Sequence, residues 1–317
     1  MSKEKPNNKG THITTAQAKK KISEMNLING FLFDSTMENT DDGKIIIGNI
    51  LKAVFFRKFN IEILESQKAL QAIDTNYHGI RFDVKLTESI DGNCPLATVY
   101  DTEMEDRPAD KEYLPQRLRY YSALNDSKAL ESGAEYDKLP DFVSIVILSY
   151  DPFDAGDMYY EARSILITHP DISYKNGIRN IFLYCNGMPN FNDPNGKIYL
   201  PPEHSKMLTE MLKYIVSGEK PDDINSSIEE MDKIVTKVKS RKEVTIEYMR
   251  QWEREISIKR EVANDTHRQD AIDDIRFDRE NGISEEMTRK RLKKNYKYDD
   301  NIINELFDMI NNEITVS

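Results

Sequence analysis

Two segments decide the fold of this chain: Gly-Ile-Arg-Phe-Asp-Val-Lys at residues 79–85 and Ala-Thr-Val-Tyr-Asp-Thr-Glu-Met-Glu at residues 97–105. Both have the composition of an extended strand. Between them, residues 91–93 read Asp-Gly-Asn, a turn-forming sequence. The two segments and the turn together predict an antiparallel β-hairpin.

Acidic residues recur on one face of each predicted strand. Side chains alternate along a strand with a period of two, so Asp83 shares a face with Lys85, and Glu103 shares a face with Glu105. The hairpin would gather three carboxylates on one sheet face, where each pair repels by roughly 1 kcal/mol or more unless a cation compensates. Mg²⁺ and Mn²⁺ prefer such oxygen ligands. The hairpin is a candidate for metal-assisted phosphodiester chemistry, and the alternative is a pair of half-exposed strands with an acidic outer face.

Composition limits the class of protein. The 317 residues are 38% hydrophobic and 31% charged, which favours a globular core with a long solvent-exposed helical part. No stretch approaches the roughly 20 apolar residues of a membrane span, and the first residues lack the apolar run of a signal peptide. We therefore expect a cytoplasmic protein with no membrane partner. Cys94 and Cys185 have neither metal-ligand nor redox spacing, so free thiols are expected.

The charge balance disfavours a protein that coats nucleic acid through bulk electrostatics, because the net charge is −11. Local basic patches could still bring DNA to an acidic metal site. Three segments are rich in Lys and Arg: residues 19–21, 237–242 and 289–297. A solvated helix face is the simpler explanation of each of them.

The order of predicted elements gives the fold class. The sequence first predicts a helix capped by Thr14 or Thr15, a core-facing helix at 43–56 and strands at 61–64 and 80–87. After the hairpin's second strand it predicts an amphipathic helix near 114–124, a strand buried on both faces at 142–150 and another strand at 178–185. Helices and strands in this order predict an α/β domain with a mixed sheet between helices.

Three regions are expected along the chain. Residues 1–13 are polar and predict a disordered tail. Residues 14–218 would form the α/β domain, and residues 219–317 an all-helical C-terminal region. An apolar stripe runs through the first part of that region, at Ile228, Met231, Ile234, Val238, Val244, Tyr248, Trp252 and Ile256. It predicts one long helix or a helical pair, serving either as an intramolecular packing face or as the seam of a homodimer. Further helices are expected from Ser284 and at 300–310.

Several motifs occur in an order that resembles a known family. They are Leu-Phe-Asp-Ser-Thr-Met-Glu-Asn at 32–39, Arg-Phe-Asp-Val at 81–84, Tyr-Asp-Thr-Glu-Met-Glu at 100–105, Leu-Pro-Gln-Arg-Leu-Arg-Tyr-Tyr at 114–121, Gly-Ala-Glu-Tyr-Asp-Lys-Leu at 133–139 and Asp-Pro-Phe at 151–153. Together they resemble the recombination-promoting nuclease/putative transposase (Rpn) family over about residues 27–250. The resemblance implies a PD-(D/E)XK nuclease with a restriction-endonuclease-like core: a Mg²⁺- or Mn²⁺-dependent DNA endonuclease.

The resemblance also implies roles for single residues. Asp83 and Glu103 match the family's metal-binding acids, and Glu105 stands at a third position that usually carries Gln in the family and Lys in the wider superfamily. A carboxylate there could accept a proton or bind a second metal, but it cannot supply positive charge to the transition state. Lys85, on the face of Asp83, is our candidate for that charge. Glu38 is the candidate accessory metal ligand, with an exposed residue beside a turn as the alternative.

Substrate contacts are expected from the helix that follows the hairpin. Arg117 and Arg119 carry planar donor forks suited to phosphate, and two residues are about 200° apart around a helix, so only one can face the site. The sequence interpretation selects Arg119, beside Tyr120. The rival function is a catalytically degenerate nuclease-fold module that binds nucleic acid or protein. Glu105, the acidic net charge and the helical C-terminal region favour it.

Overall fold

The computed structural model describes residues 12–70, 80–88, 98–130, 133–223 and 226–316. Contacts divide the chain into two compact units. One spans Lys19–Thr245, and the other combines the segment that ends at Ala18 with the residues from Ile246 onward. The predicted disordered tail and the predicted turn at 91–93 lie outside the described residues, except for the last two residues of the tail.

The larger unit contains a six-stranded mixed sheet. Its strands are β1 (Ile61–Leu70), β2 (Ile80–Glu88), β3 (Thr98–Glu105), β4 (Phe142–Leu148), β5 (Tyr159–Arg163) and β6 (Ile178–Tyr184), in the spatial order β1-β2-β3-β4-β6-β5. The strands β1, β2 and β3 are antiparallel, β3, β4 and β6 are parallel, and β5 is antiparallel to β6. The predicted mixed sheet and the predicted antiparallel pairing of the two acidic strands are confirmed.

Nine α-helices are assigned among the described residues. They are α1 (Thr15–Glu24), α2 (Gly30–Met37), α3 (Thr40–Phe55), α4 (Leu114–Ala129), α5 (Pro202–Ser217), α6 (Ser226–Ser240), α7 (Lys242–Glu280), α8 (Glu285–Tyr296) and α9 (Asp300–Val316). Thr14 caps α1 reciprocally with Gln17: the Thr14 hydroxyl accepts from the Gln17 backbone N–H at 3.3 Å, and the Gln17 side-chain oxygen accepts from the Thr14 N–H at 3.0 Å. The α/β class and the helical C-terminal region are confirmed.

Helices cover both faces of the sheet. On one face, Leu114 and Leu118 of α4 pack against Val146 and Leu148 of β4. On the other face, the ring of Phe55 in α3 meets Tyr100 of β3 edge to face, with 5.7 Å between ring centroids. Every residue of β4 is buried, as its continuous apolar sequence predicts for a strand between two parallel neighbours.

The helix α6 belongs with the sheet. Asp42, in the first turn of α3, is buried and forms ion pairs with Lys237 at 3.1 Å and Arg241 at 2.8 Å. Lys52 of α3 also donates to the Ser227 hydroxyl at 3.2 Å. The sequence placed the change of domain at residue 219, whereas the compact units separate between Thr245 and Ile246. The helix α6 falls in the unit that contains the sheet, and the predicted boundary at residue 219 stays a prediction.

The smaller unit has a hydrophobic cluster of its own. Its buried members come from α7, α8 and α9: Ala271, Ile275, Leu292, Ile303, Leu306, Phe307 and Ile310. The predicted apolar stripe falls on α6 and the first turns of α7, a helical pair, and its members from Ile228 to Val244 are buried within the chain. Among the described residues, no helix combines the length and apolar character that a bilayer span requires.

Candidate active site

The strand β3 is the scaffold of the site. Val99 packs beneath Leu124 of α4, which identifies the α4 side of the sheet as the face of the odd-numbered residues. Asp101, Glu103 and Glu105 therefore share that face. The register with the parallel strand β4 sets the position of these acids along the sheet, because Glu103 and Glu105 are aligned with Val146 and Leu148.

Arg117 of α4 bridges two of these acids. Its Nη2 atom donates to Glu103 Oε2 at 3.0 Å and to Glu105 Oε2 at 2.5 Å. The side chain of Glu103 is 7% exposed, while those of Glu105 and Arg117 are 23% and 22% exposed. The cluster thus reaches solvent through Glu105 and Arg117, and Glu103 forms its buried floor.

The acids control the protonation of the arginine. Burial by itself would lower the pKa of Arg117, but the charge of Glu103 and the hydrogen bond and charge of Glu105 outweigh it, so the pKa is raised. The guanidinium is therefore a permanent cation at this point of the sheet. It compensates two carboxylates that would otherwise repel each other on one strand face.

The hairpin register brings Lys85 to the same face. Lys85 of β2 is the Cα partner of Asp101, and Val84 is the partner of Thr102. Lys85 is half-buried, and it shares the face of Asp101 because directly opposed residues of an antiparallel pair point the same way. At this end of the two strands the last pair is Val84 with Thr102. The next residue along is Asp83 on β2 and Glu103 on β3. The side chain of Asp83 lies outside the described part of the structure.

Asp101 is a site residue that our sequence interpretation missed. Its side chain is 0% exposed, and so is that of Ser144, its Cα partner on β4. A buried acid beside two further acids raises the density of negative charge beneath α4. The period of two that identified Glu103 and Glu105 also includes Asp101, so the signal was present in the sequence.

The structure also places the other residues that the sequence predicted for the site. Arg117, not Arg119, faces the acids, because Arg117 lies in the same helical stripe as Leu114 and Leu118 while Arg119 is exposed. Tyr120 is also exposed, at 38%. Glu38 is exposed at the C-cap of α2, and none of the contacts described for the acidic cluster involves it. The role of Glu38 as an accessory metal ligand stays a prediction.

The donor set is suited to a hard cation, since it consists of carboxylate oxygens at the edge of solvent. Within the described side chains, no group of three or more His, Cys, Asp or Glu residues is arranged to hold a metal ion. The side chain of Asp83 is not among those described. Cys185, the free thiol of the described part, is buried, and burial raises its pKa to about 12, so it is not a reactive nucleophile at neutral pH.

Comparisons of this chain with protein-family models, with curated proteins and with solved structures find no match.

Proposed function

We propose that this chain is a metal-dependent DNA endonuclease with a restriction-endonuclease-like core of the PD-(D/E)XK type. The observation that carries the proposal is the acidic pair Glu103 and Glu105 held by Arg117 at the edge of the sheet. Acids and a cation at one partly exposed point are what the hydrolysis of a phosphodiester requires. The order of helix, antiparallel hairpin, helix and parallel strand agrees with the family that the sequence motifs resemble.

Asp83, Glu103 and Glu105 are the residues that would hold Mg²⁺ or Mn²⁺. If the register Val84–Thr102 is extended by one residue, Asp83 comes opposite Glu103, and opposed residues share a face. When bound, the ion would polarise the scissile phosphate and lower the pKa of a water molecule. The acids would fix the ion beside the backbone of the DNA.

Arg117 would supply the positive charge that Glu105 cannot. The resembled family usually carries Gln at position 105 and the superfamily carries Lys, and the sequence predicts Lys85 as the source of the missing charge. Arg117 is better supported, because its guanidinium already contacts Glu105 and is 22% exposed. A planar fork can pair with two phosphate oxygens at once.

The test is cleavage of supercoiled plasmid by the purified full chain with Mg²⁺, with Mn²⁺ or with chelator. We expect metal-dependent nicking that is lost in Asp83→Ala and in Glu103→Ala. Single-stranded DNA and RNA of matched length establish which nucleic acid is preferred. Nicking that persists in both variants would come from a contaminant or another site, and folded protein without nicking would reject the proposal.

A second function is favoured by the same geometry. Arg117 neutralises the acids in a way that needs no metal, so the site could be a degenerate remnant in a module that binds nucleic acid or protein. Binding of divalent metal does not separate the two functions. Salt-sensitive DNA binding by the folded protein, with no cleavage in either metal, would establish the module.

A further inference from the structure

The C-terminal unit contains a short, strongly basic helix. From Glu285 to Lys297 the sequence has six basic residues and two acidic ones, a local charge of +4 (6 − 2) in a chain of net charge −11. The basic residues are Arg289, Lys290, Arg291, Lys293, Lys294 and Lys297. A patch of this kind is commonly only a solvated helix face, so its meaning depends on where each side chain lies.

The two arginines hold the unit together. Arg291 forms an ion pair with Asp278 at 2.9 Å and another with Asp274 at 3.2 Å, and Asp278 is 1% exposed. Arg289 donates to Glu285 at 2.8 Å and to Asn304 at 2.7 Å. Its guanidinium also lies 4.6 Å from the ring centroid of Phe307. Both arginines are therefore occupied inside the helical unit.

The four lysines face the opposite way. Lys290, Lys293, Lys294 and Lys297 are all exposed, while Thr288 and Leu292 on the other side of the helix are buried. Spacings of three and four residues bring Lys290, Lys293 and Lys294 onto one side of α8, and Lys297 follows directly after the helix as its left-handed C-cap. We call these four residues the lysine stripe.

The lysine stripe is only weakly neutralised. Lys290 pairs with Glu286 at 2.8 Å, with side chains 74% and 79% exposed, and Lys293 pairs with Asp300 at 2.6 Å, 47% and 70% exposed. Exposed pairs of this kind add little stability and exchange readily with other anions. Lys294 and Lys297 form no ion pair with the residues that the structure describes.

We propose that the lysine stripe docks the phosphate backbone of duplex DNA, outside the acidic site. The choice of DNA rests on the proposed nuclease function, and the polyanion itself is inferred from the stripe. A membrane surface fits less well, because an interfacial helix needs an exposed apolar face and Leu292 is buried; Met287 supplies a single exposed apolar side chain. Lysines act as point charges, so the docking would be independent of sequence.

Docking at the stripe would raise the local concentration of DNA around the acidic site, since both belong to one chain. This matters for a protein whose net charge of −11 repels DNA overall. The stripe is expected to affect affinity and its salt dependence, and to leave the chemistry of bound DNA unchanged.

The test compares full-length protein with a variant in which all four stripe lysines are replaced by Ala. Binding of a labelled duplex is measured by fluorescence anisotropy in chelator, over a series of salt concentrations. We expect the slope of log affinity against log salt to fall by about 3–4, because each phosphate contact contributes about 0.9. The matched control replaces Arg250, Arg254, Lys259 and Arg260 of α7, which are also exposed, and should change the slope by less than one.

An equal fall in slope in both variants would overturn the proposal in favour of bulk charge, and so would an unchanged slope in the stripe variant. Co-sedimentation with vesicles containing phosphatidylserine tests the membrane alternative. Loss of vesicle binding in the stripe variant, with unchanged DNA binding, would assign the stripe to membranes. Asp83→Ala separates this proposal from the nuclease proposal, because it should abolish cleavage without changing the anisotropy. Thermal unfolding verifies that each variant is folded.

Discussion

The guanidinium of Arg117 lies 2.5 Å from the carboxylate of Glu105, and the same nitrogen reaches Glu103 at 3.0 Å. One side chain of α4 thereby ties together two acids of the hairpin that are two residues apart on β3. The contact couples the packing of α4 to the charge state of the candidate active site. A change at any of the three residues is expected to affect both stability and activity.

Removal of Arg117 tests this coupling. We expect Arg117→Ala to lower the free energy of unfolding by roughly 2 kcal/mol or more, because it leaves two acids uncompensated. The loss should remain below the roughly 3–5 kcal/mol of a fully buried pair, since the guanidinium is 22% exposed. If the nuclease proposal is right, cleavage should fall about 10²–10³-fold, as for other single transition-state donors. Urea unfolding and plasmid nicking measure the two effects.

The matched control is Arg119→Ala. Arg119 is two residues away on the same helix and exposed, so its loss removes the same charge without disturbing the acids. Arg117→Lys should recover part of the stability but less of the activity, because an ammonium cannot present a planar fork. Equal effects of Arg117→Ala and Arg119→Ala would show that the bridge has no special role.

Glu105 and Glu103 should respond differently to the same substitution. Glu105→Gln introduces the residue that the resembled family usually carries, and the amide oxygen can still accept from Arg117. We expect cleavage at neutral pH to be retained or increased. Glu103→Gln removes charge from the buried floor of the site, 7% exposed, and should abolish metal-dependent cleavage. Isothermal titration with Mn²⁺ measures whether a loss of cleavage in either variant results from weakened metal binding. Abolished cleavage in Glu105→Gln would contradict this prediction and show that the carboxylate of Glu105 is essential.

Much of the fold could be predicted because its elements carry clear periodicities. The buried strand β4, the hairpin strands and the helices α3 and α4 follow from apolar spacing alone. The helix α5 was not predicted although its signals are present: Leu208, Met211, Leu212 and Ile215 have helical spacing, and Gly218 follows as a left-handed C-cap with φ 71°. The strand β5 has only five residues, and its place at the sheet edge depends on pairing with β6, which local sequence does not encode.

The candidate site, like the fold, could be predicted only in part from the sequence. The period of two predicted that Glu103 and Glu105 share a face, but it gave no information on which arginine would reach them. That choice depends on which side of α4 faces the sheet. Leu114, Leu118 and Tyr121 define the apolar stripe, and Arg117 occupies position i+3 in the same stripe. The geometric reason against Arg119 was therefore contained in the sequence, whereas the shared bridge to two acids required the register of β3 beneath the helix.

Gly187, which follows β6, lies too close to the backbone of Asp157 and Met158 to accommodate a side chain. A Cβ atom at this position would lie 2.5 Å from the backbone oxygen of Asp157 and 2.6 Å from Met158 Cα. Backbone atoms cannot move aside cheaply, so Gly187→Ala should cost about 1–3 kcal/mol as an overpacking substitution. At Gly30, the first residue of α2, a Cβ would meet nothing within 4 Å. Gly30→Ala should therefore be neutral or slightly stabilising, and similar losses of stability in the two variants would contradict this account.

Asp126 should make the stability of the α4 region depend on pH. Burial raises its pKa above the ordinary value, against a smaller lowering effect of the Asn125 side chain. The residue also lies near the C-terminal end of α4, where the helix dipole disfavours a negative charge by about 0.3–1 kcal/mol. Both effects make the ionised form unfavourable in the folded protein.

The sign follows from proton linkage. The folded state keeps its proton at pH values where the unfolded chain, with a pKa near 3.9, has already lost it. The contribution of Asp126 to stability is therefore fully present below about pH 3.9 and is lost as the pH rises through the higher pKa of the folded state. Asp126→Asn removes this loss, so the variant should gain stability relative to the natural chain as the pH rises, and the gain should level off above the folded-state pKa.

Urea unfolding of the two proteins between pH 3.5 and pH 7 measures the gain, with Asp171→Asn, at an exposed position, as the control for the loss of one negative charge. A gain from Asp126→Asn that stays constant across this range would mean that the carboxyl group titrates alike in both states. In that case neither burial nor the helix dipole would impose an electrostatic cost on the ionised group.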